Sequence, residues 1–82
     1  MLYGGGLNDN GIKNLNLRIL DVEKNPNITN INHMTNLKRL DASYNSGIND
    51  NGIKDLNLNR LNINNNPKIT EHAAKRVSRF AR

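Results

Sequence analysis

A nine-residue pattern occurs three times in the chain: Leu17 to Asn25 reads LRILDVEKN, Leu37 to Asn45 reads LKRLDASYN, and Leu58 to Asn66 reads LNRLNINNN. The opening leucines Leu17, Leu37 and Leu58 are evenly spaced to within one position, and so are the closing asparagines Asn25, Asn45 and Asn66. A fixed period of roughly 20 residues marks a repeat architecture. Side chains of a strand alternate between its two faces. Leu20 and Val22, Leu40 and Ala42, and Leu61 and Ile63 are therefore expected on a buried side. Ile19, Asp21 and Glu23, then Arg39, Asp41 and Ser43, then Arg60, Asn62 and Asn64, are expected in water. One such strand cannot bury its apolar row alone, so the copies must stack into a short parallel sheet with a continuous core behind it. Where each strand ends, backbone groups go underground without ladder partners, and a buried amide side chain supplies both a donor and an acceptor. Asn25, Asn45 and Asn66 are the expected structural ladder.

Residues 7–29 align without gaps on residues 48–70 with 14 identities in 23, so the longer unit is about 41 residues and holds two unlike repeats. One repeat leaves its strand through Asn25-Pro26-Asn27-Ile28 and returns along Ile31, Met34 and Leu37, whose spacing of three suits a tight or 3₁₀ segment. The other returns through Asp50 to Leu56, where Asp50 is placed to cap one or two helical turns with Ile53 and Leu56 inward. Carried backwards, the register sets Met1 opposite Ala42, Tyr3 opposite Tyr44 and Gly4 in the asparagine position. Residues 1–6 thus read as a truncated first repeat, residues 7–69 as the repeats, and no polar cap covers Leu7, Ile12 and Leu15. After Thr70, a suitable N-cap, residues 70–82 place Ala73, Ala74, Val77, Phe80 and Ala81 at helical spacing, with Lys75, Arg76, Arg79 and Arg82 opposite. The prediction is a C-terminal amphipathic cap helix plugged by a buried Phe80.

Composition narrows the function. Eighty-two residues make one small domain, and 18 of them are asparagine, yet a disordered asparagine-rich tract does not keep Leu, Ile and Val in fixed register. Without cysteine there is no disulfide framework, thiolate metal site or cysteine nucleophile. No secretory leader and no run of 18 apolar residues is visible, which together with the missing cysteine points to a cytoplasmic protein without a membrane span. The net charge of +5 is mostly C-terminal: residues 70–82 carry four Lys or Arg against one Glu.

The strands LRILDVEKN, LKRLDASYN and LNRLNINNN, with the connections NPNIT, NPKIT and GINDNGIKDLNL, resemble the asparagine-rich leucine-rich-repeat proteins of large DNA viruses of amoebae. Gly52, Ile53 and Leu56 are also similar to the G-I-x-x-L repeats of F-box-associated proteins. The likeness covers residues 7–70. It implies an α/β fold of the leucine-rich-repeat class: a short solenoid with parallel strands on one face, short helical or 3₁₀ segments on the other, and a C-terminal capping helix. It also implies a non-catalytic protein-interaction module that takes a protein partner on its strand face, through Arg39, Asp41, Tyr44 and Arg60 with Asp21 and Glu23 beside them. Arg39 and Tyr44 are residue types that dominate interface hot spots. Arg39 and Arg60 are equally placed to pair with Asp21 and Asp41 on neighbouring strands.

Other chemistry finds less in the sequence. The basic set Lys75, Arg76, Arg79 and Arg82 offers an alternative, binding of nucleic acid or an acidic surface, though without the aromatic platforms of single-strand binders or the bulky apolar face of a membrane helix. A repeat remnant with no activity of its own is a further alternative, and the uncapped N-terminal end leaves self-association open. Asn8-Asp9-Asn10-Gly11 and Asn49-Asp50-Asn51-Gly52 echo a calcium loop, but Leu17 and Leu58 stand where its closing glutamate belongs. His33 and His72 have no adjacent serine or carboxylate at triad or metal spacing, and Gly4-Gly5-Gly6 lacks the lysine and helix of a phosphate loop. No cofactor, metal or catalytic residue is expected.

Overall fold

The computed structural model describes the backbone of residues 2–3 and the whole of residues 7–82. It is a small α/β fold whose elements run β1 (Leu2–Tyr3), α1 (Asp9–Ile12), β2 (Ile19–Asp21), β3 (Arg39–Asp41), α2 (Asp50–Ile53), β4 (Leu58–Asn62), α3 (Glu71–Val77) and β5 (Ser78–Ala81). The five strands form one parallel sheet in sequence order, with Leu20, Leu40 and Leu61 in register. These leucines, with Val22 and Ala42 two residues on, are buried as the alternation predicts, and Ile63 is half-buried. Ile28, Ile31, Met34 and Leu37, at their spacing of three, are all buried too. Met34 N–H donates to Ile31 and Leu37 N–H to Met34, so the return path is a series of three-residue turns rather than a continuous helix.

The short helices are set by their caps. Asn8 and Asn49, in extended conformation, accept from Gly11 and Gly52 N–H respectively. The expected cap Asp50 has another task. Its carboxylate accepts from the backbone N–H of Thr70 at 2.8 Å and from the Thr70 hydroxyl at 2.9 Å, tying one turn of chain to the next. Asp9 does the same to Thr29, one composite unit earlier, with a third bond from Asn30 N–H. Partial burial raises the Asp9 pKa, but the Thr29 side-chain and backbone bonds, the Asn30 bond and the charge of His33 together bring it below its ordinary value of 3.8. A depressed carboxylate pKa contributes stability that is present above the unfolded-state value and disappears as pH falls through the folded-state one. Wild-type protein should therefore lose more stability than Asp9→Asn between about pH 5 and pH 2 in denaturant melts. Equal losses would show that the clasp carries no charge-dependent stability.

Asparagine abundance has a structural use. Asn16 accepts from Asn36 N–H and donates to Thr35, and Asn32 donates to the Asn51 carbonyl and accepts from Asp55 N–H, so amide side chains bridge adjacent turns. Among the described residues no buried side-chain polar atom lacks a partner.

The ladder differs from expectation at its middle rung. Asn25 and Asn66 are buried at 3 % and 4 % exposure, but Asn45 is exposed and Ser46 is buried instead. Asn25 and Asn66 each accept from the N–H two residues on, and Ser46 Oγ accepts from Ile48 N–H in the same way. The cause is one extra residue. Three steps lead from Val22 to Asn25 and from Ile63 to Asn66, but four lead from Ala42 to Ser46, and both Tyr44 and Asn45 take up the surplus at positive φ (52° and 61°). Ser43, expected in water, is buried by the same excursion, with its hydroxyl donating to Asp41.

Both ends also depart from the predicted register. Tyr3 pairs with Asp21, in the row of Asp41, and so falls short of the row of Tyr44. Met1 and Gly4, whose positions were predicted by the same extrapolation, lie outside the described residues. The helix expected over 70–82 spans only Glu71–Val77, with Thr70 as its N-cap, after which Ser78 turns extended and Ser78–Ala81 adds to β4. β5 fills hydrogen-bonding groups on β4 that a longer helix would have left in water: Arg82 N–H donates to Leu61 and Ile63 N–H to Arg82. Phe80 consequently leaves the core and is 66 % exposed, while Ala74 and Val77 are the residues of α3 that join the buried core. No helix among the described residues is long and apolar enough to cross a membrane.

Candidate functional site

Strand register creates two rows of side chains across the open side of the sheet. Ile19, Arg39, Arg60 and Phe80 lie abreast on β2 to β5. Two residues further along the strands lie Asp21, Asp41 and Asn62, with the backbone of Arg82 bonded beside Asn62. An open groove of about 960 Å³ runs over both rows, and Lys75, Arg79 and Arg82 contribute to its wall.

The arginines and the acids do not neutralise each other. Asp21 accepts from Glu23 N–H at 3.0 Å, and Asp41 accepts from both the N–H and the hydroxyl of Ser43, so each carboxylate bends toward the turn that follows its own strand. Asn62 repeats the arrangement with Asn64 N–H at 3.0 Å. Arg39 and Arg60 are left side by side in register, and neither makes a side-chain hydrogen bond or ion pair among the described residues. Like charges directly opposite on neighbouring strands repel. The groove therefore has a cationic row bounded by an apolar group at each end, and a separate acidic row.

Of the residues singled out from sequence, Arg39, Arg60, Asp21 and Asp41 come together in the groove. Tyr44 and Glu23 do not line it. Tyr44 sits on the turn beyond β3, 44 % exposed, with the Lys24 ammonium 5.9 Å from its ring centroid. Glu23 lies outside the lining but close to Asp21 and Asp41, a carboxylate oxygen of each lying within 4.8 Å of the others. The basic set is divided between two elements: Lys75 and Arg76 are on α3, while Arg79 is on β5 and Arg82 just past it. Ile19 stands abreast of Arg39 on the exposed face where the alternation places it. Phe80 is the groove residue that sequence reasoning missed as a contact, and its signal was its place in a Ser-Arg-Phe-Ala run that can extend as readily as it can coil. His33 bonds the Ile12 carbonyl through Nε2 at 3.0 Å, and His72 is exposed on α3.

Compared with known proteins, the chain matches no family model, no curated protein and no solved structure.

Proposed function

We propose that this chain is a short leucine-rich-repeat solenoid acting as a non-catalytic protein-interaction module, with the groove over β2 to β5 as its docking surface. The observation that supports this most is the unpaired row Ile19, Arg39, Arg60 and Phe80, a large exposed aromatic and two uncompensated guanidiniums held in register by the sheet. Aromatic and arginine side chains are the anchors that dominate protein interfaces. The even spacing of the leucine pattern, the parallel strands and the buried asparagines are further support for the repeat class.

A random-peptide display library, panned against wild-type protein and against the Ile19→Lys/Phe80→Asp double variant, tests the reading. Clones retained by the former and lost by the latter support it. Clones retained equally by both place binding elsewhere and overturn it. A nucleic-acid role for the basic C-terminal segment would instead appear as capture of single-stranded RNA with a slope of about −3 in log K against log salt, abolished by replacing Lys75, Arg76, Arg79 and Arg82 with alanine.

A further inference from the structure

The dimensions and charge of the groove say more about what it takes. Four strands abreast, about 4.8 Å apart and three to five residues long, make a face of roughly 200 to 300 Å². That is well below the roughly 800 Å² each partner contributes to a standard protein interface. A short extended segment fits this area, where a second folded surface does not.

Across the sheet, Ile19 and Phe80 are separated by three strand intervals, about 14 Å. An extended peptide rises about 3.4 Å per residue, so side chains at positions i and i+4 point the same way about 14 Å apart. The side chain at i+2 then falls midway, over the junction of Arg39 and Arg60. A carboxylate there meets two planar guanidinium forks at once and relieves the repulsion between them. The groove wall adds Lys75, Arg79 and Arg82, giving five cationic groups against Asp21 and Asp41. Those two acids lie a further two residues along the strands, about 6.6 Å from the arginine row, with their oxygens bent toward the turns.

We infer that the groove recognises an extended segment of the form apolar-x-acidic-x-apolar, laid across the strands with its acid between Arg39 and Arg60 and its apolar side chains on Ile19 and Phe80. This rests on the docking reading above and specifies its occupant.

Labelled pentapeptides, leucine at both ends and glutamate, glutamine or lysine at the centre, with alanine between and glycine-serine flanks, are titrated by fluorescence anisotropy. Glutamate at the centre should bind about tenfold more tightly than glutamine, and lysine more weakly still. The preference should vanish in Arg39→Gln/Arg60→Gln and survive in Arg76→Gln, which lies outside the groove. Moving the leucines to i+1 and i+3, directly beside the glutamate, should also cost about tenfold. Equal binding of glutamate and glutamine peptides that is still lost on Phe80→Ala overturns the motif while leaving the docking face standing. Binding indifferent to Arg39→Gln/Arg60→Gln and to Phe80→Ala overturns both. Preference for a lysine centre, indifference to the leucine spacing, or no binding by any of the set overturns the motif.

Discussion

Gly52→Ala is expected to remove about 3 kcal/mol or more of folding stability, and Gly47→Ala a similar amount. A Cβ built on Gly52 lies 2.1 Å from the Thr29 carbonyl oxygen, and one on Gly47 lies 2.2 Å from that of Pro26. Both obstacles are backbone, which cannot swing aside, because Ile31 N–H is bonded to the Gly52 carbonyl and Gly47 N–H to that of Asn25. A domain of 82 residues has roughly 4 to 12 kcal/mol in total, so either change consumes much of it. Gly11 is the control. It occupies the place of Gly52 in the preceding copy of the aligned unit, yet among the described residues its Cβ meets only ordinary contacts at 3.5 and 3.6 Å. Alanine in that short helix should be neutral or stabilise by up to about 1 kcal/mol, since glycine loses more backbone freedom on folding. Urea melts of the three variants decide the matter. A Gly52→Ala protein within about 1 kcal/mol of wild type would mean that the turns are not packed as closely as this.

The second large effect is at the asparagine rungs. Asn66 donates to the carbonyls of Ala42 and Ile48 at 2.8 and 3.2 Å and accepts from Lys68 N–H at 3.1 Å, all in a site 4 % exposed. Alanine there leaves two carbonyls and one N–H without partners, and each orphaned buried group costs about 1 to 3 kcal/mol. Asn66→Ala should thus lose about 3 kcal/mol, whereas Ser46→Ala, which frees one N–H, should lose about 1 kcal/mol. Asn45→Gly should fall within about 0.5 kcal/mol of wild type or above it, because glycine adopts the positive φ of that exposed residue freely. If Asn45 were a rung, its replacement would cost as much as that of Asn66, and thermal melts would show it.

These contrasts mark what the sequence could and could not disclose. The leucine rows of β2, β3 and β4 were legible because alternation and a fixed period allow a single register for three strands. The middle rung was not. Matching LKRLDASYN to its neighbours by its last asparagine hides the extra residue in the turn, which becomes visible only when Ser46 and not Asn45 meets the Ile48 N–H. The C-terminal strand was hidden for a different reason. Ala73, Ala74, Val77, Phe80 and Ala81 satisfy a helical period, and local spacing carries no information about an unfilled edge on β4 nearby. Phe80 as a groove wall, rather than a core plug, follows from that edge. The charges of the candidate site were legible as types but not as partners. Arg39 and Arg60 stand one strand from Asp21 and Asp41, and only the bonds to Glu23 and Ser43 show that the acids are occupied elsewhere.

The sequential order of the sheet also fixes how the chain can find its structure. Each pairing from β2 onward joins a strand to the next one along the chain, Ile19 to Arg39, Arg39 to Arg60 and Arg60 to Phe80, at nearly constant separation. The entropy of closing a loop grows only slowly with its length, so these closures carry nearly equal costs. No pairing has to wait for remote parts of the chain to meet, and any adjacent pair can serve as the seed on which the next strand condenses. The inner strands, flanked on both sides, then hold the most tightly knit part of the molecule, and loss of structure travels inward from its margins.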